Sequence, residues 1–150
     1  MAEPVPALSE QLLHHFHQEK LALLSTIDAD TGAPSTNAIS WVTAVSPSRV
    51  RFALDQRSRL VGNLQANPNA TLTVFADGSV YAVSGQAQTV AEALDGVPFK
   101  LACLEVHVDA VRDVMFYGAR LSVEPEYEKT YDARAAAKLD SQVFAAMKKA

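Results

Sequence analysis

Short segments with a strand-like pattern follow one another along most of this chain, with turn signals between them. In residues 49–55, for example, Val50, Phe52 and Leu54 alternate with other residues at the period of a half-buried strand. The predicted strands cover residues 21–27, 35–45, 49–55, 70–75, 80–90 and 101–108. Short strands at regular spacing are typical of a closed barrel or a sandwich. We therefore predict a mainly β fold.

Helical patterns stand at both ends of the predicted strands and once between them. Residues 8–19 form an amphipathic segment, and a last helix begins at Asp132 and runs to the end of the sequence. A short helix follows the third strand, where Ser58 is a favourable N-cap and Asn67-Pro68 is a stop signal. Residues 110–131 show no clear pattern.

Composition limits the classes of partner. With 150 residues, the chain is predicted to form a single domain over residues 1–150. A net charge of −4 argues against a nucleic-acid partner, because no basic excess replaces phosphate counterions. No run reaches the length of a membrane span, and Met1–Pro6 does not resemble a secretion signal. The lone cysteine, Cys103, fits a reducing compartment, so a cytoplasmic protein is predicted.

Two arginines, Arg57 and Arg59, flank the cap of the short helix. A helix N-terminus carries partial positive charge, so each cation there is unfavourable by about 0.3–1 kcal/mol. A bound anion would reverse this cost, because free N–H groups, the Ser58 hydroxyl and two guanidinium groups together suit a phosphate. The alternative is that Ser58 only caps the helix and that both arginines point into water.

In this order, the segments resemble the pyridoxamine 5′-phosphate oxidase-like family of FMN-binding split barrels. The resemblance covers about residues 15–110. It rests on the opening strand Leu21–Thr26, the long second strand near Trp41, and Arg57-Ser58-Arg59 followed by Asn63-Leu64 and Asn67-Pro68. It implies a six-stranded antiparallel split β-barrel of Greek-key topology, with flanking helices at both termini and a short helix after the third strand.

The resemblance also implies a cofactor site. In the family, a Ser-Arg-Lys turn binds the FMN phosphate; Ser58 and Arg59 match its first two positions, and Arg57 precedes them. The family's second strand runs along the isoalloxazine ring, and its third strand ends beside the ribityl chain. The matching positions here are Ala38, Ile39, Ser40, Trp41 and Thr43 for the ring, and Ala53, Leu54 and Asp55 for the ribityl chain.

Two departures from the family pattern narrow the function. Leu60 stands where the third phosphate ligand is usually lysine, and the second strand lacks the arginine and lysine of true pyridoxamine-phosphate oxidases. Synthesis of pyridoxal phosphate is therefore not predicted. Deazaflavin and haem, which other family members bind, remain alternative cofactors.

The leading prediction is an FMN-dependent oxidoreductase that acts as a homodimer, with the cofactor at the interface and a small-molecule substrate or electron donor as partner. The strand at residues 80–90 supports a subunit contact, because Val80 and Ala82 are apolar on one face while Tyr81 and Val83 are apolar on the other. The alternatives are a non-catalytic flavin-, deazaflavin- or haem-binding protein of the stress response, and a dimer without cofactor that serves protein contacts.

Other residues that suggest chemistry also have ordinary explanations. His14 and His17 share a helix face, but no carboxylate or cysteine completes a ligand set, so no metal site is predicted. Trp41 is interpreted either as a core residue or as a neighbour of the flavin ring. Tyr117 is a candidate for reaching the cofactor of a second subunit.

Overall fold

The computed structural model describes residues 3–150, and within this range it contains seven strands and three helices. In chain order, they are α1 (Glu10–Phe16), β1 (Ala22–Ile27), β2 (Pro34–Ile39), β3 (Val42–Ser46), β4 (Arg49–Asp55), α2 (Arg59–Ala66), β5 (Asn69–Ala76), β6 (Ser79–Ala91), β7 (Leu101–Asp113) and α3 (Ala133–Lys149). The mainly β prediction with three helices is confirmed. None of these helices has the length and apolar character needed to cross a bilayer.

The prediction of six strands is wrong by one. The segment predicted as a single strand over residues 35–45 breaks at Ser40 and Trp41 into β2 and β3. All strands join one antiparallel sheet in the order β2-β1-β5-β6-β7-β4-β3. The two halves of the predicted strand therefore pair with different partners, β2 with β1 and β3 with β4.

This order forces the sheet to curl. The strands β2 and β3 are the two edges of the sheet, yet Ile39 and Val42 are only three residues apart. Three residues span at most about 11 Å, whereas six strand spacings in a flat sheet would separate the edges by about 29 Å. The sheet remains open between β2 and β3, and its curvature is consistent with the split barrel of the predicted family.

The core lies inside the curl, and a second apolar cluster lies outside it. Phe16, Leu24, Phe52 and Leu72 are fully buried in the inner cluster, to which α1 and α2 contribute. The outer cluster joins Val143 and other residues of α3 to the outward side chains of β4 and β7. Helix α3 therefore covers the outer face of the sheet on the side of β3 and β4.

The remaining predicted boundaries shift modestly. Helix α1 is shorter than the predicted segment 8–19 and is capped by Ser9, whose hydroxyl accepts the amide of Leu12 at 3.2 Å. The last strand reaches Asp113 rather than residue 108, because its pairing with β6 continues to Tyr81. Residues 114–131 contain no helix or strand, and α3 begins at Ala133, one residue after its predicted start, with Asp132 as its N-cap.

Candidate functional site

The turn between β4 and α2 is rigidly built from its own side chains. The Asp55 carboxylate accepts the amide of Arg57 at 2.8 Å, and the carbonyl of Asp55 accepts the amide of Ser58 at 2.8 Å. The Ser58 hydroxyl then accepts the amide of Leu60 at 3.2 Å. Strand, turn and capped helix therefore follow one another as predicted, with Ser58 as the N-cap.

Both arginines of this turn point outward. The Arg57 side chain is 90% exposed, and its Nε lies 3.5 Å from Asp55 Oδ1, at the limit of a hydrogen bond. Arg59 is 65% exposed and donates from Nη2 to Asp28 Oδ2. A guanidinium group has five N–H donors, so this pair leaves most of those of Arg59 available. The Arg59 amide has no acceptor within residues 3–150.

The turn between β1 and β2 lies against the start of α2. Asp28 accepts the amides of Thr31 at 3.0 Å and Asp30 at 2.9 Å, and these two bonds hold the pKa of its carboxyl below the ordinary value. Buried Asn63 of α2 accepts the amide of Ala29 at 2.9 Å and donates to the Thr26 hydroxyl at 3.1 Å. These contacts place Arg59 against the turn that leads into β2.

The predicted ring-lining residues lie at the open edge of the sheet. Ala38 and Ile39 end β2, Ser40 and Trp41 form the corner between β2 and β3, and Thr43 is buried within β3. Because β2 is an edge strand, half of its backbone N–H and C=O groups face away from β1. These groups are the ones that a planar heterocycle could meet.

Trp41 is held on both its backbone and its side chain. Its carbonyl accepts the amide of Ala53 at 3.0 Å, and its indole N–H donates to Asp140 Oδ1 at 2.8 Å. The indole packs against the outer cluster beneath α3. The Trp41 carbonyl and indole N–H are therefore already engaged by the protein.

The predicted ribityl-side residues adjoin the same corner. Ala53 and Leu54 are buried, in the outer and inner cluster respectively, while Asp55 is exposed. The ladder between β3 and β4 ends at Val42 and Phe52, and one further backbone bond, from Ala53 to Trp41, joins the end of β4 to the corner. The predicted site residues thus form two chain segments, one at the corner and one from the end of β4 to the start of α2, which meet where Ala53 donates to Trp41.

Sequence reasoning missed two partners of this stretch. Asp28, 31 positions from Arg59, carried only a turn signal, and Asp140, 99 positions from Trp41, carried no local signal beyond its place in a helix. In each case, the contact exists only because the sheet and helices bring distant segments together.

Cys103 and the histidines offer no competing centre. Cys103 is fully buried, and burial raises the pKa of its thiol to about 11. His15 is buried as well, and burial lowers the pKa of its imidazole. In the described part of the chain, no three histidine, cysteine or carboxylate side chains are grouped so that they could hold a metal. The Tyr117 side chain is fully exposed.

Comparison with solved structures supports the fold. A protein of Lactobacillus delbrueckii, whose proposed identity is pyridoxamine 5′-phosphate oxidase, matches with a TM-score of 0.59 and 18% identity over 72% of this chain and 99% of that one. General stress protein 26 of Bacillus anthracis matches with a TM-score of 0.55 and 14% identity, over 68% of this chain and 89% of that one. An F420 reductase matches with a TM-score of 0.56 and 17% identity, over 65% of this chain and 92% of that one.

The sequence comparisons give the family directly. No curated protein matches this chain significantly. The family model of pyridoxamine 5′-phosphate oxidase, however, matches residues 8–145, which is nearly the whole chain and includes the strand, turn and helix around Ser58. The chain therefore belongs to the pyridoxamine 5′-phosphate oxidase-like family.

Proposed function

We propose that this chain is an FMN-binding flavoprotein, with the phosphate at the start of α2 and the ring along the corner between β2 and β3. One observation carries the proposal: the exposed guanidinium groups of Arg57 and Arg59 stand beside an amide without an acceptor at a capped helix N-terminus. Such an N-terminus favours a phosphate through both its N–H groups and its dipole.

The hydrogen-bond donors and cations at the start of α2 are of the types that would bind the phosphate of FMN. Ser58 and Arg59 would bind the phosphate, and Arg57 would add charge. The backbone of Ala38–Trp41 and the end of β4 would line the ring and the ribityl chain. When bound, FMN supplies hydride or electron transfer, so the protein needs only to bind it and orient it. We therefore propose an oxidoreductase that acts on a small-molecule substrate or electron donor.

The acidic neighbours of the arginines oppose anion binding. Asp28 holds one N–H group of Arg59, and Asp55 lies beside Arg57, so two carboxylates offset two guanidinium charges. A phosphate has to compete with Asp28 for Arg59. We therefore expect Asp28→Asn to bind FMN more tightly than the wild-type protein, since asparagine still offers an oxygen to the turn amides but has no charge.

The test is the affinity of Arg59→Ala for FMN and for riboflavin, measured by quenching of flavin fluorescence. Loss of a charged phosphate contact costs about 1.5–3 kcal/mol, so FMN affinity should fall at least tenfold. Riboflavin lacks the phosphate, and its affinity should not change. Arg134→Ala, an exposed arginine on α3, is the control. Equal FMN affinity in Arg59→Ala and wild type would contradict the site.

A deazaflavin is the second candidate cofactor, and the similarity to an F420 reductase favours it. The visible spectrum of the purified protein separates the two. A two-band yellow spectrum supports FMN, whereas a single band at shorter wavelength supports a deazaflavin. A Soret band would instead indicate haem, and a colourless protein that fails to bind added FMN would contradict the proposal.

We further propose that the protein is a homodimer. Leu23, Thr73 and Ala82 are cross-strand neighbours on the outer face of β1, β5 and β6, and all three are half-buried and uncharged. The helix that covers the outside of the sheet, α3, lies over β3 and β4 instead. This part of the face is uncharged, and the exposed Arg112 on β7, opposite Ala82, forms its border. An uncharged sheet face of this kind suits a second copy.

A further inference from the structure

A cluster of charged side chains holds the corner between β2 and β3. Lys129 Nζ lies 2.7 Å from Glu19 Oε1 and 3.2 Å from Asp140 Oδ2. The other oxygen of Asp140 accepts the indole N–H of Trp41 at 2.8 Å. The contacts therefore run from the end of α1 through residues 114–131 to α3 and the corner. We call Glu19, Lys129, Asp140 and Trp41 the Lys129 cluster.

The Lys129 cluster is more enclosed than ordinary surface ion pairs. Its charged side chains are 27% exposed for Lys129, 33% for Glu19 and 14% for Asp140. Burial works against the charged form of Asp140, but hydrogen bonds from Trp41 and Lys129 lower the pKa of its carboxyl overall. Burial is likewise outweighed at Lys129, where Glu19 and Asp140 raise the pKa. Asp140 and Lys129 are therefore both charged at neutral pH.

The conformation of the corner depends on these side chains because few backbone hydrogen bonds of the sheet reach it. Strand β2 ends at Ile39 and β3 begins at Val42, so the two corner residues lie outside both ladders. The Trp41 carbonyl accepts one backbone bond, from Ala53. On the other side, the Tyr127 hydroxyl lies beside Ser40 and Glu19. The indole contact to Asp140 is thus a main constraint on the shape of the corner.

We propose that Asp140 is a positioning residue for the flavin site, which it serves by holding Trp41 and with it the Ser40–Trp41 corner. Lys129, anchored on Glu19, fixes Asp140 in turn. The inference rests on the proposed function, because the corner is where the flavin ring would lie. It assigns to the segment after β7 and to α3 a role in ring binding, while the phosphate would bind at Arg59, 18 residues after Trp41 in the chain.

The experiment compares Asp140→Ala, Asp140→Asn and Asp132→Ala. Asp140→Asn keeps an oxygen for the indole N–H. Asp132→Ala is the matched control, because it loosens α3 by removing the N-cap that accepts the amide of Ala135 at 2.9 Å, yet it leaves the corner intact. The readouts are FMN and riboflavin affinities and the emission of Trp41, the chain's single tryptophan.

We expect Asp140→Ala to shift the Trp41 emission. It should also lower the affinities for FMN and for riboflavin by the same factor, about tenfold. Equal loss for both flavins marks a defect at the ring, whereas Arg59→Ala should weaken FMN alone. Asp140→Asn should recover most of the affinity, and Asp132→Ala should keep all of it. If Asp140→Ala does not fold, Trp41→Phe removes the same hydrogen bond and should weaken both flavins alike.

Three results would overturn the inference. Wild-type affinity for both flavins in Asp140→Ala or Trp41→Phe would show that the contact does not serve the ring. An equal loss in Asp132→Ala would show that only the stability of α3 matters. If the wild-type protein does not bind FMN, the proposed function itself is overturned. This outcome is distinct from the other two because it is seen in the wild-type protein, without any variant.

Discussion

At the scale of single residues, the most consequential charge is Glu105 on β7. Its carboxylate is buried and lies 2.7 Å from Nε of Arg51, which is also nearly buried. Arg51 donates in addition to the carbonyls of Met147 at 2.8 Å and Ala150 at 2.6 Å. Cations suit the C-terminus of a helix, so this pair couples the sheet to the end of α3.

Replacing Glu105 by alanine should therefore destabilise the fold strongly. The change leaves the buried guanidinium of Arg51 without its counter-charge, which costs about 3–5 kcal/mol. The free energy of unfolding in urea measures this loss. Glu128→Ala, at an exposed position, is the control and should change it by less than about 0.5 kcal/mol. A loss below 1 kcal/mol in Glu105→Ala would mean that the pair is not closed in solution.

At the scale of elements, the pairing of β6 with β7 depends on one glycine. The register between them shifts between Ser84 and Gly85, and Gly85 approaches the neighbouring strand closely. A Cβ atom on Gly85 would lie 1.9 Å from the carbonyl oxygen of His107. Backbone atoms cannot give way as a flexible side chain can, so these two strands exclude any larger residue there.

Two Gly→Ala variants test this constraint against each other. Gly85→Ala should lose about 3 kcal/mol or more, because the ladder must open to admit the methyl group. Gly62→Ala should gain about 0.5–1 kcal/mol, because Gly62 lies inside α2 and, within residues 3–150, no atom beyond its chain neighbours and the backbone of its own helix lies within 4 Å of the added Cβ. Thermal or urea unfolding measures both. A neutral Gly85→Ala would disprove the close approach of β6 to β7.

At the scale of the whole molecule, helix α3 covers one part of the outer face of the sheet and leaves another part uncovered. Helix α3 covers the outer face of β3 and β4, and no helix within residues 3–150 covers the outer face of β1, β5 and β6 in the same way. Next to that open face, Phe116 and Tyr117 are 71% and 102% exposed. The Val114 amide, at the base of this aromatic segment, donates to the Val80 carbonyl at 2.8 Å. This bond ties the start of the segment to β6, one of the three strands of that face.

A charge placed on this face should separate the proposed dimer. Light scattering during gel filtration should give the wild-type protein twice the 16.1 kDa of one chain. Ala82→Arg should give a monomer, since a buried unpaired guanidinium is costly at an interface. Ala137→Arg, on the exposed side of α3, should remain a dimer. A dimeric Ala82→Arg would place the interface elsewhere.

Much of the secondary structure could be predicted because its signals are local. The cap at Ser58, the stop at Asn67 and the cap at Asp132 each act within a few residues of chain. The break at Ser40–Trp41 left no such signal, since the alternation continues through it. Only the pairing of β2 and β3 with opposite edges of the sheet requires the break.

The sequence by itself determined the strands other than the break between β2 and β3, the capped helix α2 and the family, because these depend on neighbours along the chain. It also placed Arg57, Ser58 and Arg59 together at the start of α2. The tertiary structure alone decided that Asp28 shares Arg59 and that Asp140 holds Trp41. Contacts between segments 31 and 99 residues apart follow from the curl of the sheet and the docking of α3, and no local pattern encodes them.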